Sequence, residues 1–325
     1  MPSSWTGPNG HVLLQPWFPA RIRGNFAVLI TELETAAPAG LPSRRTDFRS
    51  QGQAGQGSPG LSAENQAEQA MARVLEIRAE LLIGMRLVRA GVLRQISRGT
   101  PDFECEHTGN EFGVEVTTRA CDDVAGALNG CLERKLEAGP AVRVMLMRQG
   151  DPVFHLAPEK IDQISDQIVA HAATLAGTGT GRVHGNMFIA EAGLNAVFMP
   201  GDGTIPGMRV TFQLPETDDQ WERHWTMAAL LMRDRIESKG RKQYAMPSIT
   251  AVDVSRLGEA GRWPTGPWAA NFQEVLDNCD LGNLQGVLVF RSTLDSLSVE
   301  PLAWSGSSPT SVLAAGAVLL GGALR

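Results

Sequence analysis

Two carboxylates on either side of a predicted hairpin constrain the fold of this chain more than any other feature. Asp102 opens one predicted strand, and Glu115 lies in the middle of the next, between two valines. Residues 107–110, His-Thr-Gly-Asn, are typical of the turn between two antiparallel strands. A carboxylate inside an apolar strand costs free energy unless a cation pairs with it. Because Mg²⁺ takes oxygen ligands and keeps several waters, the two acids predict a site for such a hard cation.

Helices and strands alternate along the chain, which predicts an α/β fold with a mixed sheet. A long helix is predicted from Ala63 to Ala90, because apolar residues recur there at helical spacing and Gly91 is a typical end. A second helix is predicted over about residues 221–244, followed directly by a strand at residues 249–254. Further strands are predicted at residues 92–96, 142–147, 187–190, 196–199, 208–214, 287–290 and 297–302, and further helices at residues 122–137, 158–175 and 268–278.

Composition excludes several classes of protein. Hydrophobic residues make up 43% and charged residues 20% of the 325 residues, so the chain is not disordered throughout. The net charge of −6 excludes a purely electrostatic nucleic-acid binder but leaves a nucleic-acid enzyme open. The sequence contains neither a membrane-spanning apolar run nor a secretory signal, and its four cysteines lack C-x-x-C spacing. These features predict a soluble cytoplasmic protein.

The first 62 residues are predicted to be an N-terminal extension of the main domain, which would comprise residues 63–325. The apolar stretch Phe26–Leu33 is compatible with a strand or a short helix. From about Thr35 to Leu61 the chain is rich in Ala, Pro, Gly, Ser, Gln and Arg. This composition is too poor in large apolar residues to pack and is typical of a flexible linker.

Three positions combine into a recognisable signature: Glu80 in the predicted helix, Asp102 after a proline, and Glu115-Val116-Thr117 after the hairpin. Over residues 64–119 this order resembles the PD-(D/E)xK nuclease superfamily. The resemblance implies a restriction-endonuclease-like fold and metal-dependent hydrolysis of phosphodiester bonds, with DNA as the partner. It further implies that Asp102, Glu115 and the Val116 carbonyl hold Mg²⁺ or Mn²⁺, and that Glu80 supports this site. Such nucleases often act as homodimers.

The sequence departs from the signature at Thr117, which stands where the superfamily has lysine. Some members carry the lysine on a neighbouring helix instead. Lys239 lies on the apolar stripe of the second predicted helix with Gln243 beside it, so Lys239 is the first candidate and Lys242 the second. Core segments would then be about 64–119 and 221–256, with an insertion at 120–220 and a C-terminal elaboration at 257–325. In a simpler topology, the helix at 122–137 supplies Lys135.

Arg94 and Arg98 precede Asp102 closely, and with Lys242 they are predicted to contact nucleic acid. The leading hypothesis is a metal-dependent endonuclease in which Asp102 and Glu115 bind the metal and Lys239 supplies charge to the transition state. The alternative is a non-catalytic nuclease-fold module that binds nucleic acid or a protein partner, as Thr117 would permit. A third hypothesis is a structural or assembly protein in which the acids are incidental.

Overall fold

The chain has a mixed α/β fold in a computed structural model, and its residues divide into two compact units. Unit 1 comprises Met1–Ser58, Ser62–Ala120 and Ala228–Arg325, and unit 2 comprises Pro59–Leu61 and Cys121–Met227. No helix of the described residues has the length and apolar character needed to cross a membrane. The structure describes residues 2–7, 11–16, 18–53, 63–97, 99–118, 124, 128, 131–132, 135, 142–148, 156–177, 185–200, 209–210, 218–255, 265–293, 296–306 and 315–319.

Among the described residues, four α-helices precede the first strand, and groups of strands then alternate with single helices. The helices are α1 (Ser3–Thr6), α2 (Ala20–Ala36), α3 (Leu41–Gln51), α4 (Ala63–Arg89), α5 (Pro158–Gly177), α6 (Asp218–Gly240) and α7 (Thr265–Asp277). The strands are β1 (Leu93–Ile96), β2 (Phe103–His107), β3 (Asn110–Thr118), β4 (Val142–Arg148), β5 (Gly185–Ile189), β6 (Leu194–Pro200), β7 (Arg209–Val210), β8 (Ser248–Asp253), β9 (Gly286–Ser292) and β10 (Val299–Gly306).

The main sheet of unit 1 has six strands in the order β1-β2-β3-β8-β9-β10. Strands β1, β2 and β3 form an antiparallel meander, whereas β8 runs parallel to β3 on one side and to β9 on the other. All six residues of β8 are buried, as expected for a central parallel strand covered on both faces. The register places Glu115 of β3 beside Thr250 of β8, near the centre of the sheet.

The N-terminal residues belong to the packed core of unit 1. Helix α2 packs on α4, and the predicted ambiguity at residues 26–33 is settled as helix. The linker predicted for residues 35–61 is wrong over Leu41–Gln51, which forms α3. This polar helix packs on the core through two apolar residues, Leu41 and Phe48, which are both buried. The ring centroid of Phe48 lies 5.5 Å from that of Trp5. Residues 54–61 lie outside the described residues.

Helix α6 ends earlier than the sequence predicted. The apolar pattern favoured residues 221–244, but the helix begins at Asp218 and ends at Gly240. The main chain at Leu281 and Gly282 comes so close to Gly240 that an added Cβ would lie 2.6 Å from the Leu281 carbonyl oxygen. Any larger residue at position 240 would collide with this backbone, so the glycine allows the close approach at which the helix ends.

Unit 2 contains a separate four-stranded sheet in the order β5-β6-β4-β7. Helix α5 covers it through Ile164, Ile168 and Ala172, which recur every fourth residue and are fully buried. The His171 ring also lies against the Phe198 ring of β6, with centroids 4.8 Å apart. Residues Cys121–Met227 make up most of unit 2, and the assignment of residues 120–220 as an insertion in a nuclease core stays a prediction.

Candidate active site

Glu115 is the centre of the candidate site. Its side chain is 4% exposed, and its Oε1 accepts hydrogen bonds from Lys239 Nζ at 2.5 Å and from Lys242 Nζ at 2.9 Å. Its other oxygen, Oε2, is buried and accepts no hydrogen bond from the described residues. Lys239 comes from the last turn of α6 and Lys242 from the residues directly after it. The negative charge of the buried Glu115 carboxylate is therefore paired with two lysines, one from the last turn of α6 and one from just beyond it.

Asp102 is fixed against Glu115's strand by a main-chain hydrogen bond. The Val116 N–H donates to Asp102 Oδ2 at 2.8 Å. In a β-strand the N–H and C=O of one residue point to the same neighbouring strand. The Val116 carbonyl is therefore directed toward the same edge of β3 as Asp102. Gly113 makes this approach possible, because a Cβ there would lie 2.4 Å from the Pro101 ring.

Arg44 of α3 contacts two acids of the site, Glu80 and Asp102. The sequence analysis did not identify Arg44 as a site residue. Its Nη1 forms an ion pair with Glu80 Oε2, and its Nη2 lies 3.4 Å from Asp102 Oδ1. The exposed fractions of the three side chains are only 12% for Arg44, 19% for Glu80 and 17% for Asp102. The site therefore brings three acids together with cations from two directions, α3 and the end of α6.

The pKa values in this cluster shift as expected for acids crowded in a poorly solvated place. Burial, and then the charge of Asp102, raise the pKa of Glu80 to about 8, although Arg44 opposes the shift. Burial and the neighbouring Glu115 likewise raise the pKa of Asp102. Burial lowers the pKa of Lys239, although its bond to Glu115 acts in the opposite direction. Perturbed groups of this kind concentrate at functional sites.

Thr117, the residue in place of the motif lysine, is buried and bound by an arginine. Arg235 Nε donates to Thr117 Oγ1 at 2.5 Å. Arg235 precedes Lys239 by one helical turn, so both reach β3 from the same face of α6. The sequence analysis did not identify Arg235, although its i, i+4 spacing from Lys239 is a signal by which it could have been found.

The remaining predicted residues are placed as follows. Gln243 lies beyond the end of α6 with an exposed side chain. Arg94 is 52% exposed and pairs with Glu106 and Glu111 of the hairpin. Arg98 lies outside the described residues. In unit 2, Lys135 Nζ is 2.6 Å from Asp166 Oδ1 and also contacts Asp162. Lys239 is thus the lysine candidate that lies closest to Glu115.

Two carboxylate oxygens of the site are candidates for holding a divalent cation with few protein ligands. Among the described residues, no group of three or more His, Cys, Asp or Glu side chains is placed to hold a metal ion together. Mg²⁺, however, commonly takes only one or two carboxylates and completes its shell with waters and substrate phosphate. Glu115 Oε2 accepts no hydrogen bond from the described residues. Asp102 Oδ1 lies 3.4 Å from Nη2 of Arg44, which is a long contact. These two oxygens are the ones that could hold such an ion.

The raised pKa of Glu80 predicts a pH dependence of stability. The folded state holds this proton more tightly than the unfolded state, so the stabilisation is complete below about pH 4.5 and is lost as pH rises through about 8. We expect Glu80→Gln to flatten this decline. Urea unfolding of both proteins at pH 5, 6.5 and 8 with chelator measures it, and Glu111→Gln is the exposed control. Equal slopes in Glu80→Gln and wild type would contradict the assignment.

Comparison with known proteins adds no relative to this description. No family model, no curated protein and no solved structure matches the chain. The interpretation of the site depends on its own geometry and on the signature residues that it brings together.

Proposed function

We propose that this chain is a metal-dependent nuclease that hydrolyses phosphodiester bonds in DNA. The observation that carries the proposal is the buried Glu115, with Lys239 at 2.5 Å on one oxygen and a second oxygen without a hydrogen bond. Asp102 lies on the adjoining strand end and is bonded to Val116. A lysine contributed by a helix therefore accompanies the two signature acids although the motif position itself is Thr117.

The order of elements supports a restriction-endonuclease-like core within the mixed sheet. Helix α4 carries Glu80, the meander β1–β3 carries Asp102 and Glu115, and α6 with Lys239 is followed by β8. This is the order that the resemblance implies, with unit 2 inserted between β3 and the end of α6. The proposed fold and the proposed activity therefore depend on the same residues.

In the proposed mechanism, the two acids bind the metal ion and the lysine stabilises negative charge on the phosphate. The residues that would hold a metal ion are Asp102, Glu115 and Val116, the last through its carbonyl. Such an ion would act as a Lewis acid that lowers the pKa of water and neutralises phosphoryl charge. The water oxygen forms a new bond to phosphorus as one ester P–O bond breaks, and negative charge accumulates on the phosphoryl oxygens. The attacking water gives up a proton to solvent, and the leaving alkoxide takes one up from solvent. Lys239 is positioned by Glu115 to stabilise this charge and to orient the water.

A second candidate function is a non-catalytic module of the same fold that binds DNA or a protein partner. The observation that favours it is the engagement of the basic residues: Lys239 and Lys242 both bind Glu115, and Arg235 binds Thr117. Acids that are neutralised by internal cations need no metal ion. In this module the cluster would hold β3 to α6 and stabilise the core.

Cleavage of plasmid and of single-stranded DNA distinguishes the two functions. The nuclease is expected to cut with Mg²⁺ or Mn²⁺, to stop with chelator, and to lose roughly a hundredfold or more of its activity in Asp102→Asn. Calorimetric titration with Mn²⁺ should show binding that this variant loses. Asp277→Asn, at an exposed position of α7, is the matched control. DNA binding without cutting and without Mn²⁺ binding would favour the non-catalytic module.

A further inference from the structure

Arg44 occupies the candidate site from a helix outside the segments that carry the signature. It lies on α3 with Leu41 three residues before it and Phe48 four residues after it, a spacing that places all three on one face of the helix. Leu41 and Phe48 are buried on that face. An arginine between two core anchors, itself 12% exposed, is held in a fixed direction, unlike the cation of an ordinary surface ion pair.

The two acids that Arg44 contacts are not equivalent partners. Its Nη1 forms a close ion pair with Glu80, whereas Nη2 lies 3.4 Å from Asp102 Oδ1, at the long end of a hydrogen bond. A metal ion that binds Asp102 would compete for this oxygen and would leave the Glu80 pair in place. The guanidinium would then remain beside the metal, held by Glu80, with Nη2 released from Asp102.

A guanidinium next to a divalent cation is repelled unless an anion lies between them. The planar fork of arginine matches phosphate oxygens and binds them with two parallel hydrogen bonds. The substrate of the proposed reaction brings such an anion to the metal. Once Asp102 binds a metal ion, Nη2 of Arg44 would be available to bind a phosphate placed between the guanidinium and the metal, as a substrate clamp does.

We propose that Arg44 binds a phosphate of the DNA substrate and that Glu80 positions it for this contact, an inference that rests on the metal-dependent nuclease function proposed above. Glu80 then supports the site through Arg44, and the metal is held by Asp102 and Glu115. The N-terminal helices are accordingly a part of the substrate-binding surface, because α3 carries the arginine that contacts the phosphate.

The test compares Arg44→Gln, Arg44→Lys and Arg45→Gln. Arg45 is the matched control, because it is the next residue of α3 and pairs with Glu34. Arg44→Gln is expected to weaken DNA binding by roughly tenfold to a hundredfold, the usual effect of removing a charged hydrogen bond. The loss should appear in KM more than in kcat, Arg44→Lys should restore part of it, and Arg45→Gln should behave as wild type.

Two readouts are independent of cleavage. Anisotropy of a labelled DNA duplex with Mn²⁺, in a Lys239→Met background that is expected to bind without cutting, reports the phosphate contact. Calorimetric titration with Mn²⁺ reports the metal site, and Arg44→Gln should bind Mn²⁺ at least as tightly as wild type because a competing cation is gone.

Four results would overturn this assignment. Unchanged DNA binding in Arg44→Gln would exclude the phosphate contact, while a wild type that cuts DNA would keep the nuclease. Faster cutting in Arg44→Gln would make Arg44 a blocking residue. Loss of Mn²⁺ binding together with a lower melting temperature would make its role structural. A wild type that neither binds Mn²⁺ nor cuts DNA overturns the nuclease function itself and the clamp with it.

Discussion

Replacing Lys239 with methionine is expected to lower the rate of DNA cleavage by roughly a hundredfold to a thousandfold, the usual effect of losing a group that stabilises charge in the transition state. Lys239 is the less exposed of the two lysines on Glu115, with an exposed fraction of 11% against 40% for Lys242. A buried ammonium acts where water screens it least. Binding of Mn²⁺ should persist, because the variant removes a cation and leaves every carboxylate.

Lys242→Met is the matched control for this effect. It removes the same type of side chain from the same oxygen of Glu115, but from a position close to solvent, so we expect a loss of less than about tenfold. Single-turnover cleavage rates and Mn²⁺ titrations of both variants provide the comparison, with melting temperatures to verify folding. A larger loss in Lys242→Met than in Lys239→Met would transfer the catalytic role to Lys242.

Replacing Arg78 with methionine is expected to destabilise the protein by about 3–5 kcal/mol, because it removes one partner from a buried charge network. Arg78 of α4 is 2% exposed, and its Nη1 donates to Ser292 Oγ at 2.9 Å. Its Nη2 donates to the carbonyls of Thr293 and Ser296 at 2.6 and 2.7 Å. Ser292 in turn donates to the buried carboxylate of Asp253, whose charge Arg78 offsets.

The free energy of unfolding in urea, measured at neutral pH, tests this expectation. Arg233→Met is the control, because Arg233 forms an i, i+4 pair with Glu237 on the exposed side of α6 and its loss should change stability little. A similar small change in Arg78→Met would show that the methionine stem alone is enough to join α4 to the end of β9. Neither variant removes a residue of the candidate site.

The elements that the sequence predicted well are those with a strong local pattern. The helix predicted at residues 63–90 is α4, because its apolar residues follow the helical period over many turns. The hairpin around residues 107–110 follows from turn chemistry between two apolar runs. The resemblance implied a lysine near the acids, and the apolar stripe of the second predicted helix singled out Lys239, whose Nζ lies 2.5 Å from Glu115 Oε1.

Arg44 could not be predicted, because its setting depends on contacts remote in sequence. Helix α3 has two buried apolar residues, Leu41 and Phe48, in a segment that is otherwise polar, and a composition window cannot distinguish that from a linker. What makes it a helix of the core is the pocket formed by Trp5 and Phe26 around Phe48. The same limit applies to the end of α6 at Gly240, which is set by a remote backbone segment.

The insertion of unit 2 between β3 and the end of α6 has a consequence for protein synthesis. Lys239 follows Glu115 by 124 residues, and β8, which pairs with β3, comes later still. On the ribosome, the acids are therefore synthesised long before their lysine. Until β8 is synthesised, the edge of β3 that pairs with β8 has no neighbouring strand. A partly made chain has no complete centre for cutting DNA. The proposed activity therefore begins only after Lys239 and β8 have been synthesised.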